Sequence, residues 1–433
     1  MLNLVNFEIS LFLMSDLIQK KMLRFATAGS VDDGKSTLIG RLLFDSKALF
    51  DDQLEALKQS SVKKGLNFVD LSLATDGLRA EREQGITIDV AYRYFATPIR
   101  KFIIADTPGH IQYTRNMITG ASTADAMIVL VDGRKGILEQ TRRHTYIASL
   151  LRVPHLIVCV NKMDLLDWDR KLYEAIITDL RSFIGTMQFE GVHFIPISAL
   201  QGDNIVDVSS NMNWYQGPTV LQLLETLELV EESEKAVARF PVQAVIRPRP
   251  NEIDDHRHYA GRLSGASLSV GEEVVVLPSE LKSTVLRAMV GFESVNRIEP
   301  GVSASLELAD EIDVSRGDII VPVADLLRSG KEIDAEICWL HTRPSAPHGK
   351  LLLRQASMQV KCMIQEVGYT VDVNTGERKD STETIIQMNE IVGIRLKLAQ
   401  PLHYDTYLEN RSLGSFILID EFTNDTVAAG MIR

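Results

Sequence analysis

The chain has 433 residues, 45% of them hydrophobic and 24% charged, with 27 Gly and 14 Pro. At about 150 residues per domain this leaves room for roughly three domains with cores of their own, and it excludes a disordered or low-complexity chain. Forty-six Lys and Arg against 58 Asp and Glu set the formal charge at -12, the wrong sign for a broad binder of phosphate backbones. Cys159, Cys338 and Cys362 form no CxxC pair, so a disulfide framework and a zinc ribbon are excluded and a cytoplasmic protein is expected.

Residues 1–21 read as an N-terminal extension. The run from Met1 to Met14 is apolar, yet it lacks a basic start, carries Glu8, offers no small-residue cleavage site and is too short to span a bilayer. A docked or frayed helix is therefore expected in place of a targeting signal, with Met14 and Met22 as alternative starts.

From residue 22 to about 232, short apolar runs alternate with helical patterns, the rhythm of βαβ units around a mostly parallel, doubly wound α/β sheet. The runs 23–29, 101–106, 125–132, 155–162 and 193–198 are nearly unbroken apolar strands, as expected when helices cover both faces. Helices are predicted from Lys35 to Leu43, Tyr113 to Thr119, Glu139 to Leu151 and Leu172 to Ile184, and an edge strand from Ile86 to Tyr92. Beyond Phe240 the pattern changes to short alternating strands with Gly, Pro and Asn turns, which predicts two all-β barrels over 240–332 and 335–433. The break between them is expected near 330–336, where Ser329-Gly330-Lys331 interrupts the alternation.

Gly29-Ser30-Val31-Asp32-Asp33-Gly34-Lys35-Ser36-Thr37 fits a G-x-x-x-x-G-K-[ST] phosphate loop between a predicted strand and a predicted helix. Its glycines allow backbone torsions that aim successive N–H groups at phosphates, and the helix adds the positive end of its dipole. Lys35 is expected on the β and γ phosphates and the Ser36 hydroxyl on Mg²⁺. Asp106-Thr107-Pro108-Gly109-His110 ends another strand: Asp106 is the second metal-site carboxylate, Gly109 offers its N–H to a γ-phosphate, and His110 orients the attacking water. Thr87 is expected to complete the Mg²⁺ shell and close over the γ-phosphate.

Asn161-Lys162-Met163-Asp164 points to guanine over adenine. A guanine edge presents two donors, N1–H and the 2-amino group, and the acceptor-only carboxylate of Asp164 takes both. Asn161 is expected on the N7 edge, the Lys162 stem along the ring face, and the Ala199 N–H of Ser198-Ala199-Leu200 on O6. The expected ligands are therefore GTP and Mg²⁺. His256 and His258 stand at i,i+2 without a third ligand, so no metal role is assigned to them.

These five motifs, with two β-barrels after the nucleotide domain, resemble the translation-factor GTPases related to elongation factors Tu and 1A. Within that class the chain is most similar to the large, GTP-hydrolysing subunits of bacterial heterodimeric sulfate adenylyltransferase. Ser30 stands where elongation factors usually have histidine, Leu38 to Phe44 resembles the continuation of that family's loop, and Ser415 and Ile419 replace expected arginines. The resemblance implies a heterodimer with a small catalytic subunit that makes adenosine 5'-phosphosulfate and pyrophosphate from ATP and sulfate, driven by GTP hydrolysis here. No second phosphate loop and no Ser-Gly-Gly-x-Asp-Ser loop is found, so adenylyl transfer is expected on another chain. With the sequence read to Arg433 after the second barrel, any kinase step is expected in a separate protein. No nucleic acid and no membrane partner is expected. An elongation factor delivering charged tRNA is the alternative, with a stand-alone regulatory GTPase as a third reading.

Overall fold

The computed structural model describes residues 22–47, 89–185, 187–229, 237–247, 257–381 and 384–433, with scattered positions between 54 and 71. The N-terminal extension, Thr87 and His256 lie outside the described residues. The chain divides into two compact units, Met1–Val230 with Asp372–Glu377 and Glu231–Val371 with Arg378–Arg433.

The first unit is built on a six-stranded sheet of β1 (Leu23–Ala28), β2 (Ala91–Ala96), β3 (Lys101–Asp106), β4 (Ala126–Asp132), β5 (His155–Asn161) and β6 (Gly191–Pro196), in the order β2-β3-β1-β4-β5-β6. All neighbours run parallel except β2, which pairs antiparallel with β3. Every residue of β4 is buried, the signature of a strand covered on both faces. The strand expected from Ile86 is observed at Ala91–Ala96, because Phe95 there stacks on Phe102 at 4.6 Å and anchors the antiparallel register. Ile86 itself lies outside the described residues.

Helices α1 (Lys35–Asp45), α2 (Thr114–Ala121), α3 (Glu139–Leu150), α4 (Arg170–Ile184) and α5 (Val220–Thr226) follow the strands. In α4, Tyr173, Ile177, Leu180 and Ile184 are buried at helical spacing, and the Asp169 side chain accepts the Lys171 N–H at its start. The sequence reading missed α5, although Thr219 and Gln222 form a capping box there. Because strand order reverses around β1, the carboxyl ends of β1, β3, β4 and β5 open one crevice, where open α/β sheets bind ligands.

The second unit holds two antiparallel barrels. In the first, Phe240–Ile246, His258–Arg262, Ser303–Leu308, Leu281–Val290, Glu273–Leu277 and Ile319–Pro322 pair in a closed ring. In the second, Leu351–Gln355, Ser415–Asp420, Thr426–Ile432, Arg328–Trp339, Ile391–Tyr404 and Met358–Val371 do the same. Each closed ring removes the open edges a sheet would expose and fills its interior with its own apolar cluster. The expected break at Ser329-Gly330-Lys331 lies inside the strand Arg328–Trp339, as a register shift between Gly330 and Glu332. Between the barrels the Arg239 guanidinium meets Asp405 at 2.8 and 3.1 Å and donates to Asp325 O at 2.7 Å, with Arg239 and Asp405 both buried.

Candidate nucleotide site

At the end of β1 the chain turns through Gly29 (φ 152°), Asp32 (φ 67°) and Gly34 (φ 99°), torsions that favour glycine at its two ends. The loop is self-braced. Asp33 accepts the Ser30 N–H at 2.6 Å, and Lys35 Nζ donates to Gly29 O at 2.8 Å and Ser30 O at 2.9 Å. No side chain caps α1, so the N–H groups of its first turn are left for a ligand. Ser30 Oγ and Asp33 Oδ1 are buried with no hydrogen-bond partner among the described residues, an arrangement that suits a polar ligand. Val31, Ser36 and Thr37 are half-buried and Asp32 is exposed. Burial lowers the Lys35 pKa, with Asp106, Asp33 and Asp32 pulling the other way, and burial raises that of Asp33.

Asp106 ends β3 opposite Thr27 of β1, whose hydroxyl donates to it at 3.3 Å. The following turn lies against the loop: a Cβ on Gly109 would stand 2.3 Å from Lys35 Nζ and 2.4 Å from Gly29 O, so only glycine fits. His110 is half-buried; its carbonyl accepts the Tyr113 N–H at 2.9 Å, and the two rings are 6.0 Å apart. These contacts bring Lys35, Asp106 and Gly109 together, with His110 next in the chain.

The fourth and fifth motifs reach the same crevice. Asn161 is buried, its amide nitrogen donating to Asp33 O at 2.7 Å and its amide oxygen accepting the Ala199 N–H at 2.9 Å. Because the amide nitrogen carries two N–H groups, the bond to Asp33 leaves a donor for the base edge expected of Asn161. A buried amide needs both ends satisfied, and the phosphate loop and the Ala199 backbone supply the partners. Lys162 takes a left-handed φ of 66° and its ammonium bonds Asp32 O and Asp132. Asp164 accepts the Ser198 hydroxyl at 2.7 Å, while Leu200 is exposed and its carbonyl accepts from Arg41.

Asp132 was missed by sequence reasoning. It ends β4, is buried, and takes Lys162 Nζ at 2.9 Å and Arg134 at 2.6 Å. Burial alone would raise its pKa, but the bonds from Arg134 and Lys162 hold it below the usual carboxylate range. The signal was the Asp-Gly pair closing an apolar strand on the crevice side. Among the described residues no group of three or more His, Cys, Asp or Glu converges as a metal set, and no helix is long and apolar enough to cross a membrane.

The GTP-binding domain model of elongation factor Tu matches residues 20–235, and the C-terminal domain-like model of the eukaryotic elongation factor 1A type matches 332–433. The domain found here therefore binds GTP. The chain is 51% identical to a bifunctional enzyme CysN/CysC of Mycobacterium tuberculosis, the match covering 95% of this chain and 67% of that protein. It is 47% identical to a sulfate adenylyltransferase subunit 1 of Cellvibrio japonicus, over 96% of this chain and 87% of the other. A second protein of that name, from Aeromonas hydrophila, is 47% identical over 95% and 86% of the two chains. With these identities sustained through the nucleotide domain and both barrels, the chain belongs to the sulfate adenylyltransferase subunit 1 family.

Proposed function

We propose that this chain is the GTP-hydrolysing subunit of a cytoplasmic sulfate adenylyltransferase, driving synthesis of adenosine 5'-phosphosulfate and pyrophosphate from ATP and sulfate on a separate small subunit. The observation that carries the GTPase part is the join between motifs. Asn161 ties the base-side loops to the Asp33 carbonyl of the phosphate loop, so base and phosphate recognition form one braced unit. Relatives named for the same enzyme, across both barrels, support the coupling to sulfate activation.

In this reading Lys35 and the uncapped N-terminus of α1 hold the β and γ phosphates, and Asp164 accepts the two guanine donors. The Ser36 hydroxyl and the Asp106 carboxylate are hard oxygen donors of the kind Mg²⁺ takes, with Thr87 as the third from outside the described residues. Mg²⁺ would offset charge on the phosphate oxygens during transfer. His110 orients a water for attack on the γ-phosphorus; the bond to the β-γ bridging oxygen breaks, and GDP and phosphate leave. Gly109, packed on Lys35 and Gly29, makes the His110 turn responsive to whether a γ-phosphate is present. Hydrolysis thereby resets the turn that the partner subunit reads.

The test is phosphate release from GTP by the purified chain with and without the small subunit, ATP and sulfate. The expected result is turnover that rises only when all three are present, with pyrophosphate appearing alongside. Turnover indifferent to them would overturn the coupling.

A further inference from the structure

At the amino end of the nucleotide-domain sheet two imidazoles face one gap. The strand β5 runs 7 residues from His155 to Asn161, so this gap lies about 20 Å from the end that opens on the nucleotide crevice. His155 stands level with Gly191 of β6, and His193 follows two residues along β6, on the same face as Gly191. Gly191 has no side chain to fill the space between the rings. A Cβ there would stand 2.8 Å from His155 Nδ1 and 3.0 Å from His193 Nε2, the foremost atom of each ring. The ring centroids are 6.5 Å apart.

The bonding of His155 readies it as a ligand. Its Nε2 meets the Glu228 carbonyl at 2.9 Å; a carbonyl only accepts, so Nε2 carries the proton and Nδ1 keeps a bare lone pair. That Nδ1 is buried with no hydrogen-bond partner among the described residues, a costly state for an acceptor unless something else takes its lone pair. An imidazole whose second nitrogen donates to a backbone carbonyl is the usual arrangement of a metal-bound histidine. Burial lowers the pKa of both rings, and the His155 charge lowers that of His193 further, so both are neutral at pH 7, the form that binds metal. Glu190, exposed and next to Gly191, is close enough for its charge to act on His155.

Two imidazole nitrogens with a carboxylate beside them suit Zn²⁺, and small ring rotations bring both nitrogens to the Zn–N distance of about 2.0–2.1 Å. The rings are only half-buried, which leaves the ion a way in. We propose that His155 Nδ1 and His193 Nε2 bind one Zn²⁺ over Gly191, with the Glu190 carboxylate turning in as third ligand and water completing the sphere. The site is separate from the nucleotide crevice and independent of the functional reading above.

Calorimetric titration of the full chain with Zn²⁺, in excess Mg²⁺ to occupy hard-oxygen sites, tests it. One zinc equivalent should bind the wild-type chain, and its affinity should fall by about 10- to 100-fold in His193→Gln. Gly191→Ala keeps both nitrogens but puts a methyl in the gap, and should weaken zinc binding by a similar factor. Gly191 is not at a positive φ, so its backbone accepts alanine. Should the methyl disturb folding, His193→Gln decides alone, since the His193 side chain makes no hydrogen bond among the described residues. Absence of zinc binding by the wild-type chain, or an equivalent that survives both variants unchanged, overturns the site. Unchanged affinity in Glu190→Gln overturns the place of that carboxylate in it.

Discussion

Asp164 and His110 separate recognition from chemistry within one crevice. Asp164→Asn replaces one of the two acceptors a guanine edge requires with a donor, so GTP preference should fall and xanthosine triphosphate binding should appear in competition titrations. His110→Ala should bind GTP normally yet hydrolyse it about 100-fold or more slowly in single turnover, because only the positioning of water is removed. His144 of α3 offers a different test. It is buried, its Nδ1 has no partner among the described residues, and burial followed by the Lys35 and Arg143 charges holds its pKa down at about 3. A neutral buried imidazole contributes stability that is fully present above the unfolded pKa of about 6.5 and is lost as pH falls toward the folded value, on the order of 5 kcal/mol in all. His144→Leu should therefore flatten the fall in urea midpoint between about pH 7 and pH 4. The residue types at these positions were legible in the sequence, but the environment that depresses His144 was not, because it is set by elements far apart in the chain.

At the scale of elements, the phosphate loop, the β3 turn and the loop after β5 hold one another through backbone contacts. Asn161→Ala would leave the Ala199 N–H and the Asp33 carbonyl without their partner. Two lost buried bonds at roughly 1–1.5 kcal/mol each predict GTP binding weakened by about 30- to 160-fold, measurable by fluorescent-nucleotide titration. The apolar strands were readable because full burial leaves unbroken hydrophobic runs, and the glycine and lysine spacing fixed the first turn of α1. The edge strand was misplaced. Ile86 to Tyr92 has the alternation of a strand, whereas the antiparallel register with β3 is chosen by the packing of Phe95 on Phe102. Likewise Ser329-Gly330-Lys331 has turn composition, yet pairing of Ser329 and Gly330 with His403 and Leu402 keeps it in the sheet as a bulge.

For the molecule as a whole, the join between the barrels carries its own prediction. Removing one partner of the buried Arg239–Asp405 pair leaves an uncompensated charge, so Arg239→Met should cost about 3–5 kcal/mol, while Arg239→Met/Asp405→Leu should recover much of it. Denaturant unfolding of both single variants and the double variant measures the coupling. A double variant no more stable than Arg239→Met would show that the cost arises from packing rather than from the stranded carboxylate.

Composition, the order of the five motifs and the change from long to short periodicity were enough to determine a nucleotide domain followed by two barrels, and guanine as the base. They suffice because each is local: a loop that cradles phosphate, or a strand that alternates, is specified by residues adjacent in the chain. Tertiary structure alone decided what lies between motifs. Asn161 joined the phosphate loop to the Ala199 backbone because burial demands that both ends of an amide be paired, and Asp132 became the anchor of Lys162 because strand order sets β4 beside β5.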